Sequence, residues 1–480
     1  MLRILLVNPK SKLPIETRTS PSMALAYLGA VSLRRGDEVR VWDGDVEREP
    51  LPDVVAAFQP HVVGITANTT QIKSAWATAR QVKEAGDAAV VLGGPHPTVL
   101  PEESASRPEV DVVVRSEGEA TWEELTGTLD RLGLGERGYA AVRDQAVEAL
   151  RHVLGVTFRG RDGEVHSTPD RPTIADLDSL PWPAWHLFKL DRYTNLQPTL
   201  DHVEGYSLPI LTSRGCPYRC TYCSQIMERR WRMRSAENVV AEWRWLVREV
   251  GAAEIGVLDD SFNIRRDRVL RICDLLIQEG LNHVPWIMIN GIRANLADEE
   301  LLGRMRAAGC IRTAFGVESG NQEILDSIIH KQLTLDQVRA AFRAAKKVGM
   351  ETIGFFIIGM PGETEETMED TIRFAIELDP LVANFSMATP FPGTELYEMV
   401  KREGTILAKD WDDFLFFEGK ARFEMPGLPA DLVERKWREA YRRFYMRPKR
   451  ILRTLTRKQT WLDLPRTLRV AWRTAVTGGE

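Results

Sequence analysis

The chain has 480 residues, of which 44% are hydrophobic and 27% charged, and its formal net charge is −5. This length exceeds what one hydrophobic core usually serves, so we expect two or three domains. The acidic balance excludes a uniformly basic nucleic-acid binder, and without a long apolar run or a secretory signal the sequence predicts a cytoplasmic protein.

The first 140 residues alternate short apolar runs with helix-length spacers. The runs that we predict to be strands cover residues 4–7, 39–43, 62–66, 89–93 and 111–114. This alternation is typical of a parallel sheet with helices on both faces, so residues 1–140 are predicted to form a Rossmann-like, doubly wound α/β domain. Its binding crevice is expected at the carboxyl ends of the strands.

A second alternation follows residues 141–205, which we interpret as an irregular connector with a stiff aromatic segment around Trp182 and Trp185. Its predicted strands cover residues 209–213, 254–258, 286–289, 313–317, 352–358 and 384–387. Six strand–helix units of this kind fit a partial (β/α)6 TIM-type barrel over residues 206–395, with the active site at the C-terminal ends of the strands. Residues 396–480 are predicted to be mainly helical.

The end of the chain is a basic tail. Residues 431–480 contain 14 Lys and Arg against 5 Asp and Glu. A predicted helical face of this tail is apolar and consists of Leu464, Leu468, Ala471, Trp472 and Val476. Such a helix either packs on its own protein with the arginines in solvent, or makes a peripheral contact with a membrane surface.

Three of the five cysteines, Cys216, Cys220 and Cys223, lie together on one loop after the first predicted barrel strand. In a cytosolic chain such a group indicates a metal site. Three thiolates can hold three irons of an iron–sulfur cluster and leave the fourth open. A structural zinc site is the alternative, but the C-x3-C-x2-C spacing differs from the C-x2-C pairs of zinc ribbons. Cys273 and Cys310 are predicted to pack in the interior.

Residues 212–223, TSRGCPYRCTYC, closely resemble the cluster-binding loop of the radical S-adenosylmethionine (radical SAM) superfamily. Members of this family bind a 4Fe-4S cluster through these cysteines, bind SAM at the open iron, and cleave it reductively to a 5'-deoxyadenosyl radical. The resemblance implies that Cys216, Cys220 and Cys223 are the cluster ligands and that Tyr222 lies near the adenine. Plain packing is an equal alternative for Tyr222.

Other positions match family segments that contact SAM. Asp259 and Asp260 end the second strand, where the family contacts the methionyl amine; helix N-capping is the alternative. Glu318, after the fourth strand, is the residue implied for the ribose hydroxyls. Arg293 either pairs with a buried acid or binds the SAM carboxylate. Gly359 lies in the fifth-strand segment, where the backbone approaches adenine.

Residues 93–98 (GGPHPT), 100–103 (LPEE) and 117–119 (EGE) resemble the cobalamin-binding half of one radical SAM subgroup. That subgroup includes methyltransferases and the anaerobic magnesium-protoporphyrin IX monomethyl ester cyclase. The implied corrin contacts are Asn68, Thr69, Gly93, Gly94 and His96. The sequence lacks the Asp-x-His-x-x-Gly loop that ligates cobalt in other proteins, so cobalamin is expected to bind base-off and His-off. His96 either contacts the corrin or caps the following turn.

The resemblance implies a cobalamin-dependent radical SAM methyltransferase, which would use methylcobalamin and a 5'-deoxyadenosyl radical to methylate an unactivated carbon, or phosphorus, of a small-molecule or lipid-like substrate. A cobalamin-dependent oxidative cyclase or rearrangement enzyme without net methylation is the alternative. A non-catalytic cobalamin sensor is a third class, which the intact cysteines disfavour. An external electron donor such as flavodoxin or ferredoxin is expected. The candidate walls of the substrate cavity are the connector aromatics Trp182 and Trp185, Trp411, and the Phe414 to Phe417 run.

Overall fold

The structure is a computed structural model that describes residues 1–11, 19–194, 196–197, 203–224, 226–415, 419–456 and 461. The chain divides into two compact units. The first unit comprises Met1–Tyr193 with Ile226–Glu228, and the second comprises Thr194–Gln225 with Arg229–Glu480. Within the described ranges, no helix is long and apolar enough to cross a membrane.

The first unit is a sheet flanked by helices. Its strands are β1 (Arg3–Asn8), β2 (Glu38–Asp43), β3 (Val62–Thr66), β4 (Ala89–Gly93), β5 (Val112–Val114), β6 (Val156–Arg159) and β7 (Val165–Ser167). Its helices are α1 (Met23–Arg34), α2 (Leu51–Phe58), α3 (Ile72–Ala85), α4 (Pro95–Val99), α5 (Pro101–Ala105), α6 (Gly118–Arg131), α7 (Leu134–Arg137) and α8 (Tyr139–Leu150). The strand order is β2-β1-β3-β4-β5-β6-β7.

The five strands predicted for this unit are confirmed, and they pair in parallel. Their order, β2-β1-β3-β4-β5, is the flavodoxin-like doubly wound order, in which the chain reverses direction across the sheet between β1 and β3. The apolar runs that predicted these strands form the core, since Ile4, Val7, Val62 and Leu92 are fully buried. The ligand crevice of such a sheet lies at the carboxyl ends of β1 and β3.

The prediction that residues 141–205 are irregular is corrected, because most of α8 and the strands β6 and β7 lie in this segment. β6 pairs antiparallel with β5, and β7 pairs antiparallel with β6, so β6 and β7 form a short hairpin. The sequence pattern was weak because these strands have only four and three residues. In the aromatic segment, Trp185 is fully buried and its ring centre lies 5.8 Å from that of Phe188.

The second unit contains the remaining elements. Its strands are β8 (Tyr206–Ile210), β9 (Ser213–Arg214), β10 (Arg232–Met233), β11 (Ala252–Val257), β12 (Trp286–Met288), β13 (Cys310–Glu318), β14 (Glu351–Ile358), β15 (Val382–Met387), β16 (Thr405–Ile406) and β17 (Phe423–Glu424). Its α-helices are α9 (Ala236–Trp245), α10 (Arg266–Gln278), α11 (Glu299–Ala307), α12 (Leu335–Lys347), α13 (Glu365–Leu378), α14 (Glu395–Glu403), α15 (Ala430–Tyr445) and α16 (Pro448–Leu455).

Six of these strands form one parallel sheet in the order β8-β11-β12-β13-β14-β15, which follows the chain. This arrangement is a partial TIM-type barrel, which confirms the predicted fold. Five of the predicted strands coincide with strands of this sheet, whereas the first, predicted at residues 209–213, is β8 and ends at Ile210. Helix α15 packs against the outer strand β15, where Trp437 Nε1 donates to Phe385 O at 2.7 Å and Tyr445 Oη donates to Ala383 O at 2.9 Å. The helix therefore covers one edge of the open barrel.

Candidate active site

The cysteine loop begins directly after the first barrel strand. The short pairing of β9 with β10 closes the base of this loop, so residues 215–231 leave and return at one place. Cys216 is half-buried, Cys220 is buried and Cys223 is exposed, and all three are free thiols. The loop thus lies at the C-terminal end of β8, where a barrel of this type places its active site.

The three thiols influence one another electrostatically. Burial raises the pKa of Cys220, and it raises the pKa of Cys223 to about 12 with a further contribution from Cys220 and Cys216. The three cysteine side chains therefore lie close enough for their charges to interact, and a metal would displace the thiol protons of Cys220 and Cys223 when it binds. In the described part of the chain, no group of three or more His, Cys, Asp or Glu side chains is spaced to hold a single metal ion. A cluster distributes its thiolates over several irons, so its ligands need not converge on one point.

Asp259 is fully buried and fixes the start of the loop. Its carboxylate accepts hydrogen bonds from Thr212 N at 2.6 Å, from Thr212 Oγ1 at 2.5 Å and from Ser213 Oγ at 2.5 Å. Both oxygens of Asp259 are therefore used within the protein. Helix N-capping does not explain this residue, because the next helical turn begins after Ser261 and has no side-chain cap.

Asp260 differs from its neighbour because it is exposed. Its carboxylate accepts one hydrogen bond, from Gly215 N at 3.1 Å, immediately before the first cysteine. Desolvation by the surrounding protein raises the pKa of Asp260. An accessible carboxylate that is poorly solvated gains from a cationic partner such as an ammonium group.

Two buried arginines, which sequence reasoning missed, hold the strand that leads into the loop. Arg268 donates to Thr212 O at 2.6 Å and to Arg234 O at 2.7 Å. Arg234 donates to Leu211 O at 2.9 Å and forms an ion pair with Glu242. Thr212 is thus held at its amide, carbonyl and hydroxyl groups, which leaves the loop little freedom at this end.

Glu318 forms a buried ion pair with Lys331, whose Nζ lies 2.6 Å from Glu318 Oε1. Lys331 therefore takes the place that Arg293 would have filled as the partner of this acid. Arg293 instead donates to Lys331 O and Gln332 O, both at 2.9 Å, and its guanidinium lies 3.5 Å from the ring centre of Tyr218 in the cysteine loop. No motif in the sequence pointed to Lys331, because it lies on an irregular segment with no periodic relation to Glu318.

Tyr222 lies close to Glu318. It is half-buried against an apolar cluster that contains Leu325, Ile329 and Leu396. Burial and the nearby Glu318 carboxylate raise its pKa well above the usual range. The loop is fixed beside it, because Thr221 N donates to Ile329 O at 3.2 Å and Leu396 N donates to Thr221 O at 2.9 Å. Tyr222 is thus both a packed side chain and a neighbour of the predicted ribose-binding acid.

Gly359 follows β14 at a left-handed turn, with φ of +88°. A side chain there would lie 2.5 Å from Val433 Cγ1, so glycine is required. The turn is held by Glu363, whose Oε2 accepts from Gly359 N at 2.7 Å and from Met360 N at 2.8 Å. Glu363 is buried, its Oε1 has no hydrogen-bond partner among the described residues, and desolvation raises its pKa to about 7.

The predicted corrin contacts lie at the carboxyl edge of the sheet in the first unit. Asn68 is exposed and caps the short turn Thr69–Gln71, with Oδ1 accepting from Gln71 N at 3.0 Å. Gly94 has φ of +103°, and a side chain there would lie 2.7 Å from Ala67 O, so only glycine fits. Gly93 has no such contact, since a methyl group there would lie 3.6 Å from Val114 O.

His96 is buried at this edge with both ring nitrogens engaged. Nδ1 lies 3.3 Å from Thr69 Oγ1, and Nε2 lies 3.0 Å from Glu103 Oε2. The ring also makes an edge contact with Trp76, at 6.5 Å between centres. These contacts hold the segment after β4 in place and use the nitrogens that a metal would need.

The remaining predicted residues either pack in the interior or lie outside the described residues. Cys273 and Cys310 are fully buried, as predicted, and burial raises both of their pKa values. Phe414 is buried between Phe391 and Trp411, with ring centres 5.9 and 5.2 Å apart. Positions outside the described residues are Phe416, Phe417 and the tail residues Leu464, Leu468, Ala471, Trp472 and Val476.

The side chains present fit the expected groups. Three free thiols on one loop, two of them accessible, suit an iron–sulfur cluster with an open iron. The exposed carboxylate of Asp260 beside Gly215 suits a cationic group at that iron. At the sheet edge of the first unit, exposed amide and hydroxyl groups of Asn68 and Ser116 suit a large ligand rich in amides.

Comparison with known families and structures gives matches to both units. The model of the radical SAM superfamily matches residues 210–375, and the model of the B12 binding domain matches residues 18–126. The first match includes the cysteine loop and the strand ends that carry Asp260 and Glu318. The second includes the sheet edge with Asn68 and His96.

Relatives that match over most of this chain were also found. The chain is 34% identical to the "Uncharacterized methyltransferase PH0819" of Pyrococcus horikoshii, over 95% of both chains. It is 31% identical to the anaerobic magnesium-protoporphyrin IX monomethyl ester cyclase of Rubrivivax gelatinosus, over 84% of this chain and 69% of that one. The structure of the radical SAM methyltransferase TsrM from Kitasatospora setae, with cobalamin and a 4Fe-4S cluster bound, has a TM-score of 0.65 at 22% identity and covers 83% of this chain and 78% of its own, which shows a shared fold.

Proposed function

The chain belongs to the cobalamin-dependent radical SAM family, and from this premise we propose that it is a methyltransferase that methylates an unactivated carbon, or phosphorus, of a small-molecule or lipid-like substrate. The observation that carries the proposal is the geometry of the cysteine loop. Its three free thiols lie at the end of β8, beside an exposed carboxylate and a buried acid. The likeness over 95% of the length to a protein named as a methyltransferase supports the reaction type.

In this proposal the cluster is held by Cys216, Cys220 and Cys223. When bound, the cluster supplies the electron that cleaves SAM, and cobalamin supplies the carrier of the methyl group. Asp260, which is exposed, is the residue for the SAM amine, whereas Asp259 orients the loop because its oxygens already accept from Thr212 and Ser213.

Other side chains shape the remainder of the SAM site. Glu318 is proposed to accept from the ribose hydroxyls, with the neighbouring Tyr222 as a wall for the adenine. Glu363 holds the turn at Gly359 so that backbone N–H and C=O groups at the end of β14 keep a fixed orientation. Arg293 acts on the site through Tyr218 and the carbonyls of Lys331 and Gln332, rather than as a free cation.

Cobalamin is proposed to bind base-off and His-off at the sheet edge of the first unit, with Asn68, Thr69, Gly93 and Gly94 at the corrin. Support comes from His96, whose ring is buried and whose two nitrogens face Thr69 and Glu103. A histidine engaged on both sides is not available to cobalt without breaking these contacts.

The fate of the SAM methyl group tests the proposal without knowledge of the substrate. The reconstituted protein is incubated anaerobically with reductant and SAM that carries an isotopic label in its methyl group. A methyltransferase transfers label to the bound cobalamin and releases S-adenosylhomocysteine. Label that stays in SAM and methionine would contradict the methyltransferase assignment.

A radical oxidative cyclase or rearrangement enzyme is the second candidate, favoured by the 31% identity to the ester cyclase. Product mass separates the two reactions once a substrate is found. A methylase adds one methylene equivalent, whereas an oxidative cyclase removes hydrogens or adds oxygen. Both reactions would draw electrons from an external donor such as flavodoxin or ferredoxin.

A peripheral membrane contact is proposed for the end of the described chain. Large apolar side chains are concentrated and exposed there: Met446 at 44%, Ile451 at 42%, Leu452 at 65%, Leu455 at 47% and Trp461 at 60%. They are interspersed with basic residues, which suits an anionic lipid surface.

The protein is expected to sediment with vesicles that contain phosphatidylserine. Leu452→Glu is expected to abolish this binding, whereas Leu407→Glu is expected to leave it unchanged. Equal retention by neutral vesicles, or none by either, would contradict this contact.

A further inference from the structure

The ion pair between Glu318 and Lys331 is buried in the barrel. Lys331 Nζ lies 2.6 Å from Glu318 Oε1, and both side chains are buried. A methyl group at Gly316 would lie 2.5 Å from Glu318 Oε1 and 2.8 Å from Lys331 Nζ, so the two charged groups pack directly against this glycine. A buried charge is costly without a partner, and the pair is therefore expected to persist in the folded protein.

The backbone on both sides of this pair is strained. Glu318, His330 and Gln332 have φ values of 66°, 56° and 52°, in the left-handed region that residues with side chains rarely adopt. Each such residue costs roughly 1 to 3 kcal/mol, and such costs are concentrated at functional sites. The fold thus holds Lys331 between two strained residues and opposite a third.

The segment that carries Lys331 is fastened to the cysteine loop at two points. Thr221 donates from Oγ1 to Ile328 O at 2.8 Å and from N to Ile329 O at 3.2 Å. Arg293 bridges the carbonyl of Lys331 and the ring of Tyr218. Since Thr221 directly follows Cys220, these links bring the segment that carries the Lys331 ammonium group to the middle of the cysteine loop, next to a predicted cluster ligand.

We propose that Lys331 is a positioning and charge-setting residue that raises the reduction potential of the cluster held by Cys216, Cys220 and Cys223, with Glu318 as its counter-charge. The inference rests on the proposed function, because it requires a cluster at these cysteines. Reduction adds one negative charge to the cluster, so a buried cation beside a ligand stabilises the reduced form and an unpaired anion destabilises it. Lys331 is therefore expected to raise the reduction potential of the cluster, and Glu318 to lower it.

The test is a redox titration of the reconstituted cluster at fixed pH and without SAM. Electron paramagnetic resonance measures the reduced cluster at each potential. Lys331→Met removes the ammonium and leaves Glu318 unpaired, so the potential is expected to become more negative. Glu318→Gln leaves Lys331 unpaired, so the potential is expected to become more positive. Lys331→Arg is expected to restore the wild-type value approximately, and the double variant is expected to lie between the two single ones.

Lys436→Met is the matched control, since Lys436 is also a buried lysine in ion pairs, with Glu369 at 3.3 Å and Glu439 at 3.1 Å, but lies on α15. Its potential is expected to equal that of the wild type. Single variants that shift the potential in the same direction, or not at all, overturn the inference. If Lys331→Met does not retain iron, Glu318→Gln decides alone: a more positive potential supports the inference and any other result overturns it. Wild-type protein that binds no cluster would instead overturn the proposed function.

Discussion

The two regions assigned to cofactors are held by different kinds of interaction. Around the cysteine loop of the second unit, the fixing groups are buried and charged: Asp259, Arg268 and Lys331. At the sheet edge of the first unit, the segments are shaped by a neutral cap at Asn68 and a glycine conformation at Gly94, with His96 held between Thr69 and Glu103.

The difference follows from what each region has to bind. Three thiolates concentrate negative charge at one point, and charged groups around them both fix the loop and set its electrostatics. A corrin is large and contacts protein through many weak interactions, so shape and neutral hydrogen bonds suffice. Variants in the second unit are therefore expected to have larger effects than variants in the first.

The largest effect is expected from Cys220→Ala, which removes the buried cluster ligand. Iron content after anaerobic reconstitution should fall and formation of 5'-deoxyadenosine should drop to the level of a protein-free control, because a cluster with two ligands is poorly held. Cys273→Ala, at a buried cysteine on α10, is the control and should retain both. Equal activity of the two variants would remove Cys220 from the cluster.

The next largest effect is expected from Asp259→Asn. This change keeps the shape of the side chain but removes the negative charge of a carboxylate that accepts three hydrogen bonds. The unfolding free energy of the second unit should fall by about 4 kcal/mol, and iron should be lost faster to a chelator. Asp260→Asn should leave stability nearly unchanged and weaken SAM binding instead, measured by calorimetry. Reversed effects of the two variants would contradict the division of roles between these neighbours.

A pH-dependent effect is expected from Glu363, whose pKa is raised to about 7 by desolvation. The folded state binds this proton more tightly than the unfolded state, so the associated stability is present below the unfolded pKa of about 4.5 and is lost as the pH rises through about 7, a change of roughly 3 kcal/mol. The free energy of unfolding of Glu363→Gln, relative to that of the wild type, should therefore be higher at pH 8 than at pH 5.

Urea unfolding at the two pH values measures this difference. Glu366→Gln, at an exposed acid nearby, is the control and should show no such change between the two pH values. The same difference for both variants would mean that the Glu363 carboxyl is not the titrating group.

The smallest effect is expected from His96→Ala in the first unit. Loss of its contacts with Thr69 and Glu103 should cost about 2 kcal/mol of unfolding free energy. The absorption spectrum of bound cobalamin should stay the same, because the imidazole is not proposed to reach cobalt. A spectral change in this variant, with wild-type spectra that indicate a nitrogen ligand from histidine, would falsify the His-off assignment.

Much of the fold could be predicted because its signals are local. The apolar runs in both units became parallel strands, and the cysteine spacing identified the loop at the end of β8. The hairpin β6–β7 was missed because each strand is too short to show a period. Sequence reading could place Asp259 at a strand end, but it could not show that Thr212, 47 residues earlier, would saturate its carboxylate.

Lys331 shows the same limit more sharply. It lies 13 residues after Glu318, beyond a π-helical turn (Ile324–Ile329), and its approach depends on the three-dimensional path of that turn. A buried charge pair of this kind is decided by tertiary packing, since neither residue type nor spacing distinguishes it from a solvated lysine on a loop.

The central claim is that the loop of Cys216, Cys220 and Cys223 holds a cluster that cleaves SAM while cobalamin carries a methyl group. The most direct measurement quantifies 5'-deoxyadenosine and S-adenosylhomocysteine from the anaerobically reconstituted protein with SAM, cobalamin and reductant. Both products are expected, with 5'-deoxyadenosine lost in Cys220→Ala. A protein with verified iron and cobalamin that forms neither product would contradict it.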